Sequence, residues 1–140
     1  MKVAQFGTDS VLLAPVAAAT AARSANLDCA GGNYATIRVT LGEEANTNST
    51  NVSISLSESD ETEATTFTTF DSSFTRTVDN TAAVVATNHV DLEGRKRYLR
   101  LTVTPDTTTN GAVISSATGT IQKDVRNAGT DDLGDDVVIG

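Results

Sequence analysis

Apolar residues occupy every second position in several short segments of this chain. In residues 34–41 the apolar positions are Ala35, Ile37, Val39 and Leu41. Residues 52–57 repeat the pattern, with Val, Ile and Leu alternating with Ser. Successive side chains of a β-strand point to opposite faces of its sheet, so a period of two gives each strand one apolar and one polar face. The pattern therefore predicts half-buried strands and a fold in which sheets pack on each other.

The same alternation recurs along the chain between turn signals. Further strand candidates lie at residues 21–29, 82–92, 98–104 and 112–122. Glycines separate them, as in Gly31-Gly32-Asn33, which is typical of a turn. The spacing predicts an all-β protein: a two-layer β-sandwich or jelly-roll-like domain of seven to eight strands with extended N- and C-terminal arms.

Two local signals lead to more specific expectations. Asn110-Gly111, between the last two strand candidates, predicts a β-hairpin. Phe67, Phe70 and Phe74 are three of only four Phe residues in the chain. Because aromatic side chains bury large areas, we expect these three to anchor the core.

The composition agrees with an extended chain that folds without cross-links. Of 140 residues, 23 are Thr and 11 are Ser, and the β-branched Thr favours strand over helix. Cys29 is the only cysteine, so an internal disulfide is excluded. We interpret Cys29 as a small buried apolar group.

The two ends of the chain differ from its centre. Residues 1–20 are assigned to an extended N-terminal arm; in their Ala-rich part, Pro15 disfavours helix and leaves a strand or an extended arm. Residues 21–123 are the predicted β-sandwich domain, and 124–140 an acidic C-terminal tail. The longest apolar run, residues 11–22, is shorter than the roughly 18–20 residues that span a bilayer. We expect neither a membrane span nor a signal peptide.

Charge is distributed unevenly along the chain. The net charge of −8 divides into +1 for residues 1–41, −9 for 42–93, +4 for 94–123 and −4 for 124–140. Such a balance disfavours nucleic acid and anionic membranes as partners. The basic residues of the third block have two interpretations: they contact an acidic surface of a neighbouring copy, or they are solvated and pair weakly with acids of their own chain. These residues are Arg95, Lys96, Arg97 and Arg100.

Few residues suggest catalysis or ligand binding. His89 is the single histidine, without a partner at metal-ligand spacing, and is interpreted as a structural or surface residue. The pairs Asp131-Asp132 and Asp135-Asp136 lack the EF-hand spacing and its closing Glu, which favours a solvated tail. We therefore predict no enzymatic activity, no cofactor and no metal. Carbohydrate binding would require an exposed aromatic platform, and the chain has no Trp and two Tyr.

Three short motifs carry a resemblance to a known group of proteins. Residues 94–99 read Gly-Arg-Lys-Arg-Tyr-Leu and are followed by Val103-Thr104-Pro105; Tyr-Ala-Thr-Ile stands at 34–37 and Glu-Ser-Asp at 58–60. In these motifs the chain resembles small virion proteins of tailed double-stranded DNA bacteriophages, over roughly residues 25–122. The resemblance implies a capsid decoration or cement protein bound outside the shell, a role often filled by trimers.

We accordingly expect a non-enzymatic phage virion protein, made in the host cytoplasm and located on the capsid surface. Its expected partners are the major capsid protein and itself, as a homotrimer, with no direct nucleic acid, membrane or small-molecule substrate. Two alternatives stay open: another virion component, such as a tail-tube, neck or head-completion protein, and a surface carbohydrate-binding β module. The candidate subunit or capsid interface consists of basic and apolar residues: Arg95, Lys96, Arg97, Arg100, Val11, Leu12, Leu13, Val137, Val138 and Ile139.

Overall fold

Strands account for most of the chain that the structure describes. The computed structural model describes residues 5–15, 21–42, 50–78, 83–106 and 113–124. Apart from one 3₁₀ turn at Ala64–Thr66, the regular elements in these ranges are eight strands. They are β1 (Gln5–Leu13), β2 (Arg23–Asp28), β3 (Tyr34–Leu41), β4 (Thr50–Ser59), β5 (Thr68–Val78), β6 (Val84–Asp91), β7 (Tyr98–Pro105) and β8 (Ser115–Asp124).

The strands form two four-stranded antiparallel sheets. The first sheet has the order β1-β8-β3-β6 and the second the order β2-β7-β4-β5. The chain moves back and forth between the two sheets, and only β4 and β5 are both consecutive and hydrogen-bonded to each other among the described strands. This is the strand order of a jelly roll. The all-β, jelly-roll-like prediction is confirmed.

The space between the sheets is filled by aliphatic side chains. They come from the inward-facing positions of both sheets and form one hydrophobic cluster. The alternation in residues 34–41 and 52–56 matches the buried and outward positions of β3 and β4. It breaks at Ser57, which is buried where the pairing with β5 shifts register. Eight of the central side chains are at most 1 % exposed: Ile37, Val39, Leu41, Ile54, Leu56, Leu99, Leu101 and Val103.

The N-terminal segment differs from the predicted arm. Residues 5–13 form β1, which pairs antiparallel with β8 along the edge of the first sheet. Leu13 is 5 % exposed and belongs to the core. The prediction of an arm over residues 1–20 is therefore corrected for 5–13, because the partner that orders this segment lies more than 100 residues away in sequence. Residues 1–4, 16–20 and 125–140, with the tail's Val137, Val138 and Ile139, lie outside the described residues.

The predicted hairpin between β7 and β8 is wrong. β7 pairs with β2 and β4 in the second sheet, whereas β8 pairs with β1 and β3 in the first. Asn110 and Gly111 themselves lie outside the described residues. An Asn-Gly pair reports only a local preference for a turn, and in this topology the chain crosses to the opposite sheet after β7.

The predicted aromatic core is also corrected. Phe70 is half-buried and packs against the edge of the core, and Phe67 is half-buried outside the core cluster. The side chain of Phe74 lies outside the described residues. The centre of the sandwich is aliphatic because the two sheets approach through the regularly alternating Val, Ile and Leu positions.

No helix in the described part of the chain has the length and apolar character needed to cross a membrane.

Candidate functional site

The basic segment, residues 94–100, connects β6 to β7 and enters the second sheet. Gly94 has a φ of 75°, a backbone conformation that glycine adopts without a steric penalty. From this turn, Arg95, Lys96 and Arg97 lead into β7, where Arg100 faces outward. The sequence placed these four basic residues together, and the structure places them at one end of the second sheet.

Arg97 forms a two-pronged ion pair with Asp28 of the neighbouring strand β2. Its Nε donates to Asp28 Oδ1 at 3.0 Å and its Nη2 to Asp28 Oδ2 at 2.9 Å. The Arg97 guanidinium holds the pKa of the Asp28 carboxyl below its usual 3.8, because hydrogen bonds to the carboxylate favour its charged form. Both side chains are about half exposed (53 % and 46 %), so the pair fixes geometry more than it stabilises the fold.

Glu58 and Asp60, near the end of β4, bind the other side of the basic segment. Glu58 accepts from the Arg95 guanidinium at 3.4 Å and from the Lys96 backbone N–H at 3.2 Å. Asp60 accepts from the Arg97 backbone N–H at 3.2 Å. The turn is therefore held by acidic side chains of its own chain on both sides.

Arginine side chains also cover aromatic rings on this surface. The Arg100 guanidinium lies 4.1 Å from the centre of the Phe67 ring, and that of Arg95 lies 4.5 Å from the centre of the Phe70 ring. Arg100 Nε further donates to Asn26 Oδ1 at 2.8 Å. Cation–π contacts of this kind shield the half-buried rings from water.

These contacts correspond to the second interpretation of the basic residues. Arg95 and Arg97 pair with Glu58 and Asp28 of their own chain. Lys96 is exposed and forms no ion pair with any residue in the described ranges. Arg100 likewise contacts Asn26 and Phe67 and no acidic side chain in the described ranges. The segment thus presents a surface on which most of the positive charge faces acids of the same chain.

The apolar candidates near the N-terminus occupy three different environments. Val11 is 71 % exposed on β1, Leu12 is partly buried against the core, and Leu13 is inside it. Val85, on the opposite edge strand β6, is 54 % exposed, and the sequence analysis missed it. The sequence does contain an indication of this exposure: within the alternation of β6, Val85 stands at a position whose side chain points outward.

His89 and Cys29 have structural environments. His89 Nδ1 lies 3.0 Å from the hydroxyl of Thr36 on the outer face of the first sheet. Cys29 is buried, and burial raises the pKa of its thiol to about 11. Both residues have the positions that the sequence analysis assigned to them, the first on a surface and the second as a small buried group. Among the described residues, no cluster of three or more His, Cys, Asp or Glu side chains is arranged to hold a metal ion.

A cleft of about 370 Å³ opens at one end of the first sheet. It lies between the turn that precedes β3 and the end of β6, and Gly31-Gly32-Asn33, predicted as a turn, forms one wall. Tyr34 at its rim is 45 % exposed. The sequence alone does not indicate this site, because the residues of its two walls are nearly 60 positions apart in the chain. The lining residues are Gly32, Asn33, Tyr34, Asp91, Leu92 and Glu93.

Known proteins resemble this chain in structure and not in sequence. No protein-family model matches the chain, and no curated protein matches it. A solved chain of desmodium yellow mottle tymovirus is similar, with a TM-score of 0.40 and 7 % sequence identity over 89 % of this chain and 90 % of that chain.

Proposed function

We propose that this chain is a non-enzymatic virion structural protein, a capsid decoration or cement protein that binds the outer surface of the shell as an oligomer. One observation carries the proposal: in the described part of the chain, the space between the two sheets of the jelly roll holds one cluster of the chain's own buried side chains. Jelly rolls occur in viral capsid and lectin domains and in cupins. These classes of protein differ in which part of the fold, the interior or the outer surface, contacts the ligand or partner.

The filled interior argues against a role that needs space between the sheets. The central aliphatic residues of β3, β4 and β7 are at most 1 % exposed, so a ligand there would have to displace the core. Contacts with partners must then form on the outer faces or along the sheet edges. An assembly subunit works through such surfaces.

The edges of the first sheet supply suitable contact positions. Val11 lies on edge strand β1 and Val85 on edge strand β6, and both are more than half exposed. An edge strand presents backbone groups that a strand of another chain can pair with. We assign these edges to contacts with the major capsid protein and with further copies of this chain, as a homotrimer.

The motif resemblance supports the phage assignment independently of the fold. Its residues 94–105 include the basic segment, which the ion pairs of Arg95 and Arg97 connect to β4 and β2. Side chains already paired within their own chain lose less conformational entropy when they contact another subunit, which suits repeated docking on a lattice. The proposed location is the outside of the capsid, after synthesis in the host cytoplasm.

Co-sedimentation with empty shells tests the proposal. Shells assembled from the major capsid protein of the same genome are mixed with the full chain, and we expect saturable binding at a fixed ratio to capsid subunits. Val85→Asp should weaken binding, since it places a charge at an apolar contact. Thr104→Asp, at an exposed position of the second sheet, is the matched control. Absence of binding, with ring-shaped assemblies of the chain alone, would favour a tail-tube, neck or head-completion protein.

A further inference from the structure

The outer face of the first sheet carries an aromatic ring between two hydrogen-bonding side chains. Tyr34 of β3 is paired directly with Asp91 of β6 on one side and with Gln122 of β8 on the other. Directly opposed residues of an antiparallel pair have Cβ atoms about 4.5–5.5 Å apart. All three positions are on the outward phase of their strands, so the half-exposed ring is flanked by a carboxylate and a primary amide.

The cleft beside this ring is fixed by backbone contacts. The Asn33 N–H donates to the Gln122 carbonyl at 2.8 Å, and the Leu92 N–H donates to the Asn33 carbonyl at 3.0 Å. Asp91 Oδ1 accepts the Glu93 N–H at 3.0 Å, which orients the Asp91 carboxylate. At Gly32 a Cβ would overlap the Ile121 side chain, so only glycine permits this close approach. The cleft therefore exists before any ligand arrives.

The chemistry of these groups points to a neutral, hydroxyl-rich ligand. Tyr34 offers an apolar ring surface on which another flat apolar face can stack. The carboxylates of Asp91 and Glu93 accept hydrogen bonds from hydroxyl groups, and the Gln122 amide both donates and accepts them. The same two carboxylates disfavour an anion. A small cation would use the acceptors alone, whereas a sugar ring uses the stacking face, the acceptors and the amide together.

The neighbouring row of the sheet extends the polar surface. The Thr36 hydroxyl lies 3.0 Å from His89 Nδ1, and the Thr120 hydroxyl donates to Asp9 Oδ1 at 2.6 Å. Thr36 is paired with both His89 and Thr120, so the four side chains form one row next to the row that contains Tyr34. A flat polar surface beyond the cleft would accommodate a second sugar residue.

We propose that the cleft beside Tyr34 binds a saccharide, with a pyranose ring stacked on Tyr34 and its hydroxyls hydrogen-bonded by Asp91, Glu93 and Gln122. Its volume of about 370 Å³ falls within the usual range of small-ligand sites, about 300–1,000 Å³. Asp91 of this site lies at the last position of edge strand β6, whereas Val85, the β6 position assigned to capsid contacts, lies near its first. On a shell surface it would allow the particle to adhere to glycans.

The test is an NMR titration of the full chain with named probes. The saccharide probes are N-acetylglucosamine, methyl glucoside, methyl mannoside and their short oligomers; choline and methylguanidine are the cation probes. We expect at least one saccharide, at millimolar concentration, to shift the backbone amides of residues 33, 34, 91–93 and 122. The cation probes should leave these amides unchanged.

Variants identify the ring as the contact. Tyr34→Ala should weaken saccharide binding about tenfold, the loss expected when one stacking contact is removed, and Tyr34→Phe should retain most of it. Tyr98→Ala removes the chain's other tyrosine, which lies on the second sheet under Arg97, and should leave binding unchanged.

Three results would overturn the proposal: no saccharide shifts these amides, Tyr34→Ala binds as the parent chain does, or a cation probe alone shifts them. Shell co-sedimentation is measured without sugar, so failure here is distinguishable from failure of the proposed capsid role.

Discussion

Thr50 is fully buried at the start of β4, and its hydroxyl has no hydrogen-bond partner among the described residues. A buried polar group left unpaired costs about 1–3 kcal/mol. The sequence gives no sign of this, because Thr is ordinary in a strand and its isolation depends on what the fold packs around it. The unpaired Thr50 hydroxyl therefore lowers the stability of the fold, and a substitution can remove it.

Replacing this hydroxyl by a methyl group should stabilise the chain. We expect Thr50→Val to raise the free energy of unfolding by about 1 kcal/mol, because the shape is kept and the unpaired group is removed. Urea unfolding measures the change. Thr104→Val, at an exposed position, is the control and should have little effect. A loss of stability in Thr50→Val would show that the hydroxyl has a partner.

The Asp28–Arg97 pair predicts a local dependence on pH. The pKa of Asp28 is lowered below 3.8 in the folded chain, so the pair contributes stability above about pH 3.8, and this contribution is lost as the pH falls through the lower folded pKa. An NMR titration of the Asp28 carboxyl should find a pKa below 3.8. In Arg97→Gln that pKa should rise towards 3.8, whereas Arg38→Gln, on the first sheet, should leave it unchanged. A native pKa at or above 3.8 would contradict the ion pair.

At the scale of single elements, the alternation of apolar and polar residues predicted the positions of strands well and their pairing partners poorly. The segment predicted at residues 34–41 is β3, and that at 98–104 is β7 one residue short. The period of two is a property of each strand alone, so it can be read without knowing the partner. Strand pairing depends on distant segments, which is why β1 was predicted as an arm and β7 with β8 as a hairpin.

The edge strand β1 is expected to be essential to the fold. A chain that begins at residue 14 loses Leu13 from the core and the pairing of β1 along β8. We expect its melting temperature to fall sharply or its unfolding to lose cooperativity, as measured by circular dichroism. Val11→Thr, at an exposed position of β1, is the control and should melt as the parent chain does. An unchanged melting temperature in the shortened chain would mean that the segment is an arm after all.

At the scale of the whole molecule, the sequence allowed the fold class to be predicted but not the arrangement of the surface. The two-layer all-β class followed from strand number and alternation. The basic segment was visible as a run of residues, but its partners Asp28 and Glu58 come from strands far away in sequence. The Tyr34 cleft was invisible for the same reason, since Asn33 and Asp91 are brought together only by the β3–β6 pairing.

The whole molecule is consistent with a subunit that acts through its outside. Its interior is closed by its own aliphatic residues, its basic segment is held by its own acids, and exposed valines lie on both edges of the first sheet. The proposed decoration role assigns the edges to the shell and to neighbouring copies, and leaves the outer faces to the surroundings.

A cryo-EM reconstruction of shells incubated with the full chain tests this role most directly. We predict added density on the outer surface at symmetry-related positions, into which the two-sheet jelly roll fits with an edge of the first sheet towards the shell. Shells that remain bare at saturating concentrations of the chain, or density confined to a single vertex or tail, would contradict the decoration role.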